Sequence, residues 1–293
     1  MSLCLCVALF YNARMGATLD EILNSHRTGR AIVMGVLNVT PDSFSDGGKF
    51  MDPSAAVERA QAMVAEGADI LDVGAESTRP GSQRVSPGEQ ARRLQDILPP
   101  LAGLGAIVSI DTTSAEVAEL ALDSGATIIN DVSAGRDDPD LLPAAARRGA
   151  AIVLMHMLGT PKTMQADPRY DDVVGEVRAF LAERLQAAAT AGVPAELCIV
   201  DPGIGFGKTT RHNLALLSET AKLVSLGRPV LIGASRKRFI GELTGQGDPA
   251  ARVSGTVAAC LAARRRGATI FRVHDVAAMK AALAVADAVE KAN

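Results

Sequence analysis

The sequence predicts a (β/α)8 TIM barrel, an α/β fold in a single domain, on three observations. Eight short aliphatic runs recur along its 293 residues, helix-length stretches of mixed apolar and charged periodicity separate them, and several of those stretches end in Gly-Ala or Gly-Val just before the next run. Runs that are apolar at consecutive positions fit parallel strands buried on both faces rather than one-sided antiparallel strands. Glycine at the end of each stretch supplies the left-handed residue that stops a helix. The chain is longer than an ordinary domain of roughly 100 to 200 residues, but barrels of about 250 residues form one domain.

Residues 1–30 are expected to be an N-terminal extension, in which "TLDEILNSHRTGR" (18–30) predicts a short helix across the barrel bottom. Met15 stands before "GATLDEIL", so residues 1–14 are open to being an upstream translation start; the barrel domain is expected over 31–293. Its runs are "AIVMGVL" (31–37), "DILDV" (69–73), "IVSID" (107–111), "TIIND" (127–131), "AIVLMH" (151–156), "LCIVD" (197–201), "PVLIGA" (229–234) and "TIFRV" (269–273). The helical stretches include "DPSAAVERAQAMVAEGA", "SAEVAELALDSGA", "DDVVGEVRAFLAERLQAAATAGV" and "ARVSGTVAACLAARRRGA". A doubly wound open sheet is the alternative, but it uses fewer strands and wants a Gly-rich dinucleotide turn. No G-x-G-x-x-G follows any of the first three runs.

Composition narrows the function. Hydrophobic residues make up 48% of the chain, yet there are only seven Phe, two Tyr and no Trp, so the core must be aliphatic. A net charge of -3 without long runs of either sign gives no electrostatic reason to expect nucleic acid or a membrane surface. Cys4, Cys6, Cys198 and Cys260 lack metal or redox spacing, which points to reduced, mostly buried thiols. The leading "MSLCLCVALF" has no basic start and no small-residue cleavage site, so a cytoplasmic protein is expected.

In such a barrel, active sites form from the C-terminal ends of the strands and the loops that follow them. The unusual polar residues cluster there: Asn38, Arg79, Asp111, Asn130, Asp131, His156, Asp201, Lys237, Arg272 and His274. An Asp or Asn after a strand is commonly a helix N-cap, but Asp111, Asn130 and Asp201 end their runs several residues before the next helix. Together they suit a flat heterocycle bearing an amino group and ring N–H donors. Arg79, Lys237, Arg272 and His274 form an opposing cationic side that suits phosphate or diphosphate.

Two long loops complete the set. "NVTPDSFSDGG" (38–48) offers Asn38, Asp42 and Asp46 as oxygen ligands for Mg2+, Phe44 as an apolar lid and Gly47-Gly48 as a hinge, although its Pro-Asp-Ser and Asp-Gly steps are also plain turn formers. "ESTRPGSQRVSP" (76–87) has the length and composition of a lid. "PGIGFGKTT" (202–210) ends like a phosphate loop but has Pro202 where that pattern requires Gly, which rejects an ATPase. Its glycines are instead expected to let the backbone and Phe206 approach a flat ligand. His156 is equally well a packed rim residue or a ligand contact, and His26 and His212 are expected at the surface or in caps.

The stretches "GVLNVTPDSFSDGG", "DVGAESTRPG", "SIDT", "INDVSAG", "LMHMLGTPKTMQ", "DPGIGFGKT", "GASRKRFIG" and "RVHDV", in this order, resemble the dihydropteroate synthase family of folate biosynthesis from about Ile32 to the final helix. The resemblance implies a pterin-binding TIM barrel that condenses 6-hydroxymethyl-7,8-dihydropterin diphosphate with p-aminobenzoate, with Mg2+ as cofactor, as a homodimer and a sulfonamide target. It implies that Asp111, Asn130, Asp201 and Lys237 bind the pterin between Met155 and Phe206. Arg272 would lie against the ring and, with Asn38, Arg79 and His274, reach the diphosphate beside Thr78. Asn38 and Asp46 would hold the metal, while Phe44, Pro80 and the start of the "SRKR" helix would frame p-aminobenzoate. Asp46, Arg79, Lys237, Arg272 and His274 carry the expected catalytic roles. Arg238 stands where many relatives have Ser, a departure that bears on carboxylate recognition.

Two other classes fit part of the pattern. A barrel methyltransferase using a methylated pterin leaves Arg79, Arg272, His274 and the first loop unexplained. A non-catalytic pterin-binding protein would be free to lose loop or diphosphate residues, and none is missing. Amine-dependent release of diphosphate separates the three.

Overall fold

The computed structural model of the chain describes residues 17–40, 52–77 and 82–292. Eight parallel strands, β1 (Ile32–Asn38), β2 (Ile70–Gly74), β3 (Ile107–Asp111), β4 (Ile128–Asp131), β5 (Ala151–Met155), β6 (Cys198–Asp201), β7 (Leu231–Ile232) and β8 (Ile270–Val273), pair in sequence order. β1 also pairs with β8, and a bridge between Val200 and Val230 joins β6 to β7, so the sheet closes on itself. Helices fill the connections, among them Pro53–Ala65, Ala115–Asp123, Val173–Thr190 and Val253–Arg264. This is the predicted barrel. Among the described residues no helix is long and apolar enough to cross a membrane.

Side-chain alternation explains the continuous apolar runs. Leu71, Val73, Val108, Ile110, Ile129, Ile152, Leu154 and Phe271 join the cluster between strands and helices, whereas Ile70, Ile128, Ala151, Val153, Ile199 and Ile270 fill the barrel interior. Strands of a closed parallel barrel need apolar groups on both faces. The interior cluster belongs to the lower half of the barrel. Higher on the same inward rows stand Asp72, Ser109, Asp111, Asn130, Asp201 and Arg272, giving an apolar floor under a polar mouth.

Two local expectations change. The leading helix is broken into Leu19–Leu23 and Ser25–Thr28, because Asn24 leaves helical geometry and turns its amide back onto the Asp20 carbonyl at 2.9 Å. The pair still closes the barrel bottom: Ile22 and Leu23 pack on Ile32, Met34 and Ile270, and the Ser25 and Thr269 hydroxyls bond at 2.9 Å. The seventh strand shrinks from the expected 229–234 to two residues. Pro229 has no N–H to donate, and Val230 instead offers its carbonyl to Thr269 and Ile270 at 3.2 Å.

The glycine stops hold: Gly67, Gly125, Gly149 and Gly267 have positive φ just before a strand, and Gly192 has positive φ before the short turn Ala195–Leu197 that leads into β6. At Gly125 a side chain is excluded twice over, by φ 99° and by Ala102 Cβ, which would lie 2.8 Å from an added Cβ.

The barrel plug yields a test. Ile22 is fully buried, so Ile22→Ala should lower the free energy of unfolding by about 2–5 kcal/mol, measured by urea denaturation. A loss below about 0.5 kcal/mol would show that the leading helices fold apart from the barrel.

Candidate active site

The mouth is organised around Arg272, which points inward from β8. Its Nε donates to Asp72 Oδ2 at 2.6 Å and its Nη2 to Asp111 Oδ2 at 2.8 Å. Asp72 is completely buried and also accepts from Ser109 Oγ at 2.7 Å and from Asn130 Nδ2 at 3.0 Å. One amide hydrogen of Asn130 is thereby spent on Asp72, which fixes the amide so that Oδ1 is its remaining acceptor. Asn130 is the register partner of Asp111 across β3 and β4, and Asp201 that of Met155 across β5 and β6. Gly74, opposite Asp111, leaves the room that the carboxylate occupies, since an added Cβ would lie 3.3 Å from Asp111 Cβ.

Burial sets the electrostatics. It pushes the Asp111 carboxyl up to about 7, with Arg272 opposing the shift and Asp72 adding to it. Burial likewise raises Asp201 to about 6, against the Gly203 N–H, which donates at 2.6 Å, and the Lys237 charge. Burial alone would lower the Arg272 guanidinium, but Asp72 and Asp111 together hold it above its ordinary value. Asp131 is also raised to about 6 by burial, yet it serves the loop: its carboxyl accepts from the Ser133 and Gly135 backbone N–H groups.

An apolar and cationic wall stands beside the acceptors. Met155, Met157, Met164 and Val132 cluster with Phe206, and Lys237 Nζ lies 3.9 Å from the Phe206 ring centroid. Lys237 precedes the helix Arg238–Thr244 and follows Arg236, whose φ of 58° is held by a paired contact to Asp275 at 3.0 and 2.6 Å. His274 Nδ1 meets Ser235 Oγ at 2.9 Å. Arg238 is exposed and pairs with Glu242 at 2.7 Å.

The structure corrects some site expectations. Arg272 is not set against the carboxylates on a separate cationic side; it lies between two of them, because the β8 inward row faces Asp72 and Asp111 across the barrel. The glycines of 202–210 leave room for neighbouring protein atoms. A Cβ at Gly203 would fall 1.9 Å from the His156 carbonyl oxygen, and one at Gly207 would fall 2.7 Å from that of Leu158. His156 is packed, edge-on to Phe180 at 4.8 Å between centroids. His212 caps its helix with Thr209, and Lys208 is buried rather than offered to a phosphate.

Phe44, Asp46, Thr78, Arg79 and Pro80 lie outside the described residues. Asn38 ends β1 on the inward row. Among the described residues no group of three or more His, Cys, Asp or Glu side chains could hold a metal. Among the described residues of the second loop, Arg84 is tied to Thr113 at 2.9 Å and to Asp137, and Glu76 accepts from the Val85 N–H at 3.2 Å. Sequence reasoning passed over Asp72 and Ser109, and gave no role of their own to Ser235 and Lys208. The signal for Asp72 was present, a carboxylate between Leu71 and Val73 in the interior of the strand run "DILDV".

The raised carboxyl of Asp111 carries a pH prediction. The folded chain keeps this proton up to about pH 7, whereas the unfolded carboxyl releases it near 3.8. Folding takes up a proton between those values, so the contribution of Asp111 is most favourable at the acid end and is lost as pH rises through about 7. Urea unfolding from about pH 4 to about pH 8 should show the wild type losing stability relative to Asp111→Asn as pH rises. Parallel curves would mean that Arg272 keeps Asp111 ionised throughout.

Known proteins share this fold. The profile of the family described as pterin binding enzyme matches residues 34–274. The dihydropteroate synthase of Synechocystis sp. is 48% identical over 260 residues, covering 88% of this chain and 90% of that protein. The Xanthomonas albilineans dihydropteroate synthase, solved with 4-aminobenzoic acid, superposes with a TM-score of 0.84 at 49% identity, covering 89% of this chain and 93% of that one. The Thermus thermophilus enzyme in complex with 6HMPPP gives a TM-score of 0.77 at 50% identity over 88% of this chain and 94% of that one. The chain belongs to the pterin-binding enzyme family and, within it, to the dihydropteroate synthases.

Proposed function

We propose that this barrel joins 6-hydroxymethyl-7,8-dihydropterin diphosphate to p-aminobenzoate, giving 7,8-dihydropteroate and diphosphate. The observation that carries the reading is the presence of buried Asp111, Asn130 and Asp201 on the inward rows at or next to the C-terminal ends of β3, β4 and β6, together with Lys237 held over the Phe206 ring. Three acceptors and one donor match a ring bearing an amino group, ring N–H donors and a carbonyl. The structural neighbours named above bind 4-aminobenzoic acid and 6HMPPP, which supports both substrates.

The reaction breaks the C–O bond between the exocyclic CH2 and the diphosphate and forms a C–N bond to the arylamine, whose nitrogen then loses a proton. Conjugation with the electron-rich pterin lets cleavage run ahead of attack, so positive charge builds on carbon and ring. Asp111 and Asp201 disperse it. Hydrogen bonds from the ring to these carboxyls favour their ionised forms, so binding draws both below their raised ligand-free values. Arg79 and His274 are assigned to the diphosphate. An arylamine is neutral at pH 7 and needs positioning more than a base. Phe44 and Pro80 are proposed to supply that positioning, and Thr78 to contact the adjoining substrate.

Magnesium is proposed as the cofactor. The single amide oxygen of Asn38 at the barrel rim, joined by Asp46, suits an ion that takes one or two protein oxygens and completes its shell with water and substrate phosphate. When bound, it supplies positive charge to the leaving diphosphate. A homodimer, a cytoplasmic location, competition by sulfonamides and the division into 1–30 and 31–293 belong to the same proposal.

Diphosphate release from the dihydropterin diphosphate should depend on p-aminobenzoate, with stoichiometric dihydropteroate. Chelation should abolish turnover. Asp46→Ala should reduce it by on the order of 10²-fold while 6-hydroxymethylpterin still binds. Pterin binding without amine-dependent product would sink the reading, and an undiminished Asp46→Ala rate would remove that residue from the chemistry.

A further inference from the structure

Lys208 has no part in the reaction just described, yet it is 97% buried on its residue surface, with only 3% exposed. Among the described residues its ammonium meets no carboxylate in hydrogen-bonding contact. Instead Nζ lies 2.9 Å from His156 Nδ1, 3.0 Å from the Phe206 carbonyl oxygen and 3.4 Å from the His156 carbonyl oxygen. An ammonium has three donors, and three neutral acceptors from two loops surround it. Burial pushes the neighbouring imidazole of His156 down to about 3, so it stays neutral and its Nδ1 accepts.

The same two loops are interlocked along their backbones. Gly203, at φ 66°, sits against the His156 carbonyl, and Gly207, at φ 61°, against that of Leu158, with no space for a side chain at either position. Between these contacts the turn presents Phe206, and Gly205 lets the Lys237 stem approach to 2.9 Å from where its Cβ would be. Lys208 is thus the polar fastening of a turn whose exposed product is the Phe206–Lys237 wall.

We propose that Lys208 is a positioning residue for heterocycle recognition, fastening the 203–208 turn to the loop after β5 so that Phe206 lies under Lys237 beside Asp201. The proposal rests on the pterin reading of the pocket. It has an electrostatic corollary: Lys208 is among the charges that favour ionised Asp201, together with Lys237 and Arg272. The groups facing Lys208 are His156 from the loop after β5, Asp201 from β6, Lys237 from the segment after β7 and His212 from the helix Thr210–Ser218. Burial lowers Lys208 to about 7, so it is charged in the acid range where Asp201 takes up its proton.

The test compares the wild type with Lys208→Met, which keeps the stem, and Lys208→Gln, which keeps a neutral donor. Binding of 6-hydroxymethylpterin is followed against pH, turnover with both substrates is resolved into KM and kcat, and amide exchange is measured in the ligand-free proteins. Lys208→Met should weaken pterin binding and raise the pterin-substrate KM roughly 10–100-fold, the cost of losing hydrogen bonds to a charged group, with the p-aminobenzoate KM within about twofold. Its acid limb should move to higher pH, because Asp201 loses a supporting charge. Lys208→Gln should recover part of the affinity but not the pH limb. Exchange over 203–208 should quicken in Lys208→Met while the helix Val276–Lys291 is unchanged.

A folded Lys208→Met protein with wild-type pterin affinity and pH profile overturns the proposal, as does equal damage to both substrate KM values. If Lys208→Met does not fold, Lys208→Gln with an unchanged pH limb overturns the electrostatic corollary, and with unchanged exchange it overturns the fastening. A wild type that binds no pterin defeats the functional reading instead. Amide exchange over 203–208 then decides the role of Lys208 on its own.

Discussion

One buried guanidinium governs the mouth of this barrel. Arg272 is shared by Asp72 and Asp111, and each member would be costly without the others, because a charge removed from water costs several kcal/mol unless it is paired and hydrogen-bonded. The cluster requires a closed barrel, since its members come from β2, β3, β4 and β8, which meet around one axis only when the sheet closes through the β1 and β8 pairing. The apolar floor beneath it excludes water from below. The result is a fixed set of hydrogen-bonding groups whose orientation is settled before any ligand arrives.

That preorganisation divides the site. The end proposed to take the heterocycle is built from strand residues, with Asn130 held by Asp72 and Asp201 held by the Gly203 N–H. Strand-borne groups cannot relax toward a ligand, so selectivity there comes from geometry and from burial that raises the carboxyls in the empty site. The leaving-group end is proposed to draw on Arg79, Asp46 and Thr78, which the sequence places in the two long βα connections. The wall formed by Phe206 and Lys237 belongs to the rigid end, because its turn is backed by neighbouring loop backbone and by Lys208.

Much of this was legible without coordinates, and the gaps have common causes. Asp111, Asn130 and Asp201 could be recognised because a polar group ending an apolar run has few structural duties there. Asp72 escaped notice because it lies inside its run, where alternation hides which face a residue takes until neighbours are known. Arg272 was placed on the wrong side for a related reason: the residues facing it belong to strands far away in sequence. Among the glycines after β6, Gly203 and Gly207 accommodate the loop after β5 and Gly205 the stem of Lys237, neighbours that no local pattern identifies. His156 was left undecided, and packing against Phe180 and Lys208 resolved it as a structural residue.

The sequence by itself determined the barrel, its order of strands, the glycine stops and the family-wide motifs, because these depend on local periodicity and on short stretches read in order. Tertiary structure alone decided who pairs with whom across the barrel. It seated Arg272 between Asp72 and Asp111, turned the Asn130 amide, and buried Lys208 behind Phe206. Such pairings are set by desolvation and hydrogen-bond satisfaction among residues as many as 200 positions apart, as Asp72 and Arg272 are. No local pattern encodes that distance, and closing the sheet brings it down to a hydrogen bond.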